Sequence, residues 1–312
     1  MRRSITSACR PTGDGWFAEI ARTSLAGDTP SVNSSRASGT RTALPLLLAG
    51  ALLGVPIAAG VGYTVAGALG LVGNAAPGGL LRVLDDAAVL RSAMLSLWIA
   101  SAGTGIALVG AVSLALLFAG HARLDAIARN TAALPLPVPT VAAAVAVLLL
   151  LSQSGWFSRV AAQLHVIARP ADFPALVYDP IALGVIAAVV WKELPFLLLV
   201  ALSLQSLRGD ALTSAARTLG ASPWQTVRLV TLPLLMRGMA PSIIAVFVFV
   251  LGSLELPLVL APSSPLALPL LIQERRQALD AASRGDAYVI ALLATALALA
   301  AAIAHEWLRG DE

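Results

Sequence analysis

Apolar residues run through this chain in long continuous blocks rather than in alternation, and six of the blocks are long enough to read as membrane-crossing helices. They lie near 43–65, 93–118, 138–152, 181–204, 239–260 and 287–307, the third being the shortest. A hydrocarbon core of roughly 30 Å takes about 20 helical residues. Barrel strands would alternate and be about half as long, whereas a helix satisfies its own backbone in lipid. The pattern predicts an all-α, polytopic membrane protein with about six spans, occupying 42–309. Residues 1–41 are rich in Ser, Thr, Gly and Arg and contain no apolar run, so they read as a disordered tail. Met1-Arg2-Arg3 is basic, but no short apolar stretch of the signal-peptide kind follows it.

Composition agrees with the pattern. Of 312 residues, 58% are hydrophobic and 12% charged, and the mean hydropathy is +0.83, outside the range of soluble domains. The net charge of +4 comes from residues scattered between the apolar blocks; nucleic acid would require them clustered on one surface, so lipid is the expected surrounding and nucleic acid is not an expected partner. Cys9 is the only cysteine, which leaves no internal disulfide and no thiolate cluster. Arginines set the orientation. With the N-terminus inside, Arg123, Arg129, Arg208, Arg217, Arg228, Arg237 and Arg309 fall in cytoplasmic segments together with the arginines of the tail. Both termini are then cytoplasmic, and so is the segment 205–233.

That segment carries the most specific signal in the chain. Gly220 stands where a helix C-terminus favours a left-handed residue. Ser222 can cap a second helix, Pro223 fits its first position, and Gln225 completes a capping box. Trp224, Val227 and Val230 recur at helical spacing and predict an apolar stripe, and Pro233 is expected to end the second helix. Ser214, Ala215, Ala216, then Gly220, then Val230, Leu232 and Pro233 resemble the "EAA" loop of permease subunits in binding-protein-dependent ABC importers. The usual Glu of that loop is Ser214 here. The resemblance implies that Ser214, Ala215, Ala216, Gly220, Ser222, Pro223, Trp224, Val227, Val230, Leu232 and Pro233 grip an ATPase. It also implies a dimer of ABC ATPases carrying the ATP, a second permease subunit that is a distinct homologous chain, an extracytoplasmic solute-binding protein, and a place in a bacterial inner membrane. This chain itself would bind no cofactor.

Ionisable residues within spans are costly, about 2.5–3.5 kcal/mol each at a helix centre. Lys192 and Glu193 lie midway along the fourth block and Glu255 in the fifth, each close to a proline. They either line a translocation path or fix the packing of spans. Trp191 to Phe196 and Gly252 to Pro257 also resemble the matching spans of permeases for polyamines, thiamine and ferric iron, which implies a small, often charged solute. Glu274, Arg275, Arg276, Asp280 and Arg284 in the loop before the sixth block are either docking charges for a binding protein or ordinary solvated charges. Gly103, Gly105 and Gly110 suit close helix packing.

Enzyme chemistry finds little support. His121, His165 and His305 fall in different segments, and Ser253 and His305, a conceivable intramembrane protease dyad, fall near opposite faces. A phosphate-binding Gly-x-x-x-x-Gly-Lys-Ser/Thr loop does not occur. The alternative readings are a stand-alone ion-coupled carrier, which would be expected to show inverted repeats and buried carboxylate sites, and an intramembrane enzyme.

Overall fold

The computed structural model describes residues 39–310 except 73, 119 and 120, with side chains described for all of these but 39–47, 49, 122, 207–211 and 304–310. The expected tail thus lies outside the described residues up to position 38, and its last three residues begin a helix. The chain divides into a unit ending at Ala58 and a unit from Ala59 onward. Helix α1 (Gly39–Ala68) crosses that boundary and supplies the described part of the first unit.

The second unit is helical throughout its ordered elements: α2 (Leu80–Asp85), α3 (Ala87–Phe118), α4 (Ala122–Ala133), α5 (Thr140–Leu151), α6 (Trp156–Gln163), α7 (Leu183–Thr218), α8 (Pro223–Thr226), α9 (Leu232–Gly252), α10 (Glu255–Leu260), α11 (Leu268–Gln277) and α12 (Ala281–Gly310). Among the described residues, six helical segments are long and apolar enough to cross a membrane. Helix α5 alone is 12 residues, roughly 18 Å at 1.5 Å per residue. The third segment reaches spanning length only by counting α6 across the intervening turn.

The core forms where α3 lies along α7. Small residues make the approach possible. Ala100, Ala107, Ala111 and Ala115 recur at helical spacing on α3 and are fully buried, and a Cβ added to Gly103 or Gly110 would stand 2.6 Å from Val189 or Leu194 of α7. Without water to expel, membrane helices gain stability from such close packing. Gly105, by contrast, meets open space. Helix α4 is fastened to α7 by Arg129, which pairs with Asp125 one turn back at 2.8 Å and donates to the Leu202 carbonyl at 2.9 Å.

The fifth span departs from the expected continuous run over 239–260. The helix breaks at Ser253–Leu254 and restarts as α10. Pro257 explains the break: its ring would collide with the carbonyl of Ser253, four residues back, and it has no N–H to offer that oxygen. In the fourth span α7 runs on through Pro195, which spans tolerate when neighbouring helices pack around the gap.

The loop before the sixth span is more ordered than loop charges would require. Asp280 caps α12, accepting from the Ser283 N–H at 2.8 Å. Arg284 donates to the carbonyls of Asn74, Ala278 and Leu279. Arg275 pairs with Asp86 at 2.6 Å, and Arg82 forms a two-pronged pair with the buried Asp286 at 2.6 and 2.8 Å while the Gly79 N–H donates to the same carboxylate. Arg275 and Arg284, expected to be docking or solvated charges, therefore staple the connection between the first two spans onto the start of the sixth, and Asp280, expected to be the same, caps the sixth span's helix. The Ala88 N–H, and then Arg275, hold the Asp86 carboxyl below its usual range; the Ser283 N–H does the same for Asp280. Packing at this corner is tight. A Cβ on Gly285 would run into the Ala76 carbonyl, and one on Gly67 would meet the Tyr288 ring at 2.6 Å.

Candidate functional site

Helix α7 has 36 residues, roughly 54 Å, and the helical run 223–252 is 30 residues, roughly 45 Å. Both exceed a hydrocarbon core of roughly 30 Å. They meet at Gly220, so the two helices have length to spare on either side of their joint.

The joint has the geometry that its residues dictate. Gly220 adopts φ +85°, the Gly220 N–H donates to the Arg217 carbonyl at 3.0 Å, and the Ala221 N–H donates to the Ala216 carbonyl at 3.1 Å. These two bonds form a Schellman motif, which occupies carbonyls that the helix end would leave unpaired. Two residues later the reciprocal capping box is present. The Gln225 N–H donates to the Ser222 Oγ at 3.3 Å, and the Ser222 N–H donates to the Gln225 Oε1 at 2.8 Å. Thr226, buried, adds a bond from its Oγ1 to the Ser222 carbonyl at 3.0 Å. The elbow is thus a stiff pair of helix ends joined at one left-handed residue.

Beyond the cap, the expected stop at Pro233 does not occur. Val227–Thr231 form a π-helical turn, in which the Leu232 N–H reaches back five residues to Val227, and the chain passes directly into α9. The wider turn makes room for Pro233 in the second helical position. It also redistributes the expected apolar stripe. Val227 and Val230 are half-buried, Val230 near Leu204, Leu212 and Leu235, while Trp224 and Leu229 are each 70% exposed and Leu219 is 88% exposed. Leu219 and Leu229 were not among the expected contact residues. The signal that could have found Leu229 is a five-residue spacing from Trp224, which shares a face only in a π turn. Ser214 and Ala215 are exposed near the end of α7, Ala216 and Leu232 are half-buried, and Ser222, Pro223 and Pro233 are exposed.

The three charged residues of the spans are not brought into one cluster. Lys192 donates from its Nζ to the Val138 carbonyl at 2.7 Å, which fastens the first third of α7 to the turn before α5. Glu193 is half-buried on the same helix, and Glu255 is exposed in the first turn of α10. Among the described residues no ion pair joins them. Ser253 lies in the break of the fifth span; the side chain of His305 lies outside the described residues.

Residues 107–309 match the family described as the binding-protein-dependent transport system inner membrane component. This chain belongs to that family. Among solved structures, it is similar to a bacterial alginate ABC transporter in complex with an alginate pentasaccharide-bound periplasmic protein. The TM-score is 0.62 at 17% identity, covering 93% of this chain and 95% of that one. A second similar structure is a bacterial ABC transporter involved in the import of the acidic polysaccharide alginate, with a TM-score of 0.63 at 18% identity over 94% of this chain and 97% of that one. No curated protein matches the sequence. The family and the fold make this chain a multi-pass permease subunit of the ABC importer type.

Proposed function

We propose that this subunit forms half of a translocation path for a small charged solute handed over by an extracytoplasmic binding protein, and that a separate ABC ATPase drives it. The observation that carries this reading is the elbow: a rigidly capped helix pair that leaves Leu219, Trp224 and Leu229 exposed. Large apolar side chains exposed on a preorganised surface suit a protein partner. Ser214, Ala215 and Ala216 flank that surface, and Gly220 sets the angle between the two helices.

The second half of the path is a similar but distinct permease chain, and ATP binds to the ATPase pair rather than here. Closing of the ATPases on ATP pulls the two elbows together and biases the permease halves toward an outward-open state; hydrolysis releases them. The elbow is cytoplasmic in this scheme, as are both termini. Lys192, Glu193 and Glu255 supply polar groups to the path, consistent with the resemblance of spans four and five to permeases for small charged solutes. Copurification from membranes tests the proposal: the native chain should bring down an ATPase and a second permease, and replacing Leu219, Trp224 and Leu229 together with Ser should release the ATPase while the permease pair stays intact. An ATPase that still copurifies with the triple variant would place the contact elsewhere.

A further inference from the structure

At the far end of the fifth span, on the side of the membrane opposite the elbow, Leu254 in the helix break faces α11 across a pocket of about 550 Å³. That volume falls within the roughly 300–1,000 Å³ of small-molecule sites. Leu254, Pro269 and Ile272 form an apolar wall, and Gln273, Arg276 and Gln277 bring polar groups to it. The three polar residues stand at i, i+3 and i+4 on α11, so one helix face carries them all.

One of these groups lacks a partner its burial calls for, and another is exposed with no acceptor in the chain among the described residues. The Gln273 Oε1 is buried without a hydrogen bond, an arrangement native proteins rarely leave unexplained. Arg276 has its guanidinium carbon 5.8 Å from the centre of the Tyr288 ring, and no acceptor among the described residues takes its N–H groups. Its neighbours Arg275 and Arg284 are already engaged in the corner. A buried amide oxygen wants a hydroxyl or N–H donor, and a guanidinium oriented by a ring offers a planar fork to a carboxylate. The apolar wall suits the C–H face of a saturated ring.

We infer that this pocket is an entry subsite for a hydroxylated solute bearing a carboxylate, of the sugar-acid class, with Arg276 on the carboxylate and Gln273 on a hydroxyl. The inference rests on the permease reading above, which puts the pocket at the mouth that receives solute. A polyamine would instead be drawn to the exposed carboxylates of Glu255 and Glu274, which do not line the pocket.

The test is equilibrium binding of radiolabelled glucuronate, glucose and spermidine to the full chain, purified in nanodiscs with the subunits that accompany it. Glucuronate should bind saturably and about tenfold tighter than glucose. Arg276→Gln should erase that preference and leave glucose unchanged. Arg276→Lys keeps a cation beside Tyr288 and should retain part of the preference, which separates loss of the contact from loss of the fold. Gln273→Leu should weaken both sugars. Preferred binding of spermidine, a glucuronate preference that survives Arg276→Gln, or unchanged affinities in Gln273→Leu would each overturn the assignment. The same preparation separates this idea from the one beneath it: an ATPase present without glucuronate preference removes the subsite alone, whereas a chain that brings down no ATPase removes the permease reading.

Discussion

Two glycines at opposite ends of the second unit do opposite work. Gly220 at the elbow has φ +85° and open space around it, so an added Cβ would touch nothing within 4 Å. Gly285 at the stapled corner has no such dihedral requirement, yet an added Cβ would run into the Ala76 carbonyl. One is a conformational need and the other a steric one. The difference teaches where each end is rigid and for whom: the corner is closed upon itself by ion pairs and backbone contacts, while the elbow is locally stiff and leaves its apolar side chains for something else. Replacing each feature in turn should therefore give a graded series, large losses of stability at the corner and progressively smaller ones toward the elbow.

Gly285→Ala should have the largest effect. The clash is with backbone rather than with a flexible side-chain end, so the cost should approach about 3 kcal/mol, the upper part of the range for overpacking. The check is thermal unfolding of the purified chain in nanodiscs; an unchanged midpoint would mean that the corner yields more easily than its contacts suggest. Asp286→Ala comes next. It leaves the Gly79 N–H and the Arg82 guanidinium without their acceptor, which should cost about 2 kcal/mol, and it should loosen residues 76–86 in hydrogen exchange before any other segment.

Acid should loosen the corner selectively. The carboxyls of Asp86 and Asp280 lie below their usual range in the folded chain, so their contribution is present above the unfolded value, about 3.9, and is lost as pH falls through the depressed folded values. Between neutral pH and about pH 5 the corner should be unaffected. Below about pH 4, hydrogen exchange should rise around 86–88 and 275–284. The elbow's caps are Ser222 and Gln225, which do not titrate, so 218–226 should stay protected over the same range. Equal acid sensitivity at both ends would remove the electrostatic distinction between them.

What the sequence showed and what it hid follow the same division. The number of spans, the left-handed turn at Gly220 and the Ser222–Gln225 box are local, each settled by residues within a few positions of one another. The π turn at 227–231 was hidden because a change of helical period has no compositional mark, and with it went the exposure of Leu229 and the passage of the chain through Pro233. The corner was hidden for another reason: Arg82 and Asp286 are 204 residues apart, and Arg275 and Asp86 are 189 apart. Charges so distant in the chain look like solvated loop charges until folding brings them together. Gly103 and Gly110 could be marked for close packing, but only the facing Val189 and Leu194 distinguish them from Gly105, where an added Cβ would meet open space.

Gly220→Val should cost the least stability of the series and the most function. A β-branched side chain in the left-handed region costs about 1–2 kcal/mol, and the open space around the site means that no clash adds to it. Unfolding should shift by less than in Gly285→Ala. The two bonds of the Schellman motif depend on that dihedral, however, and the angle between α7 and α8 depends on the bonds. A small relaxation of φ there swings Trp224 and Leu229 relative to Leu219, which changes how the exposed apolar side chains are presented. ATP hydrolysis by the assembled transporter should persist while uptake into reconstituted vesicles falls. A variant that keeps both uptake and the normal ratio of solute to ATP would show that the elbow's angle carries no force, and the contrast with the corner would then reduce to packing alone.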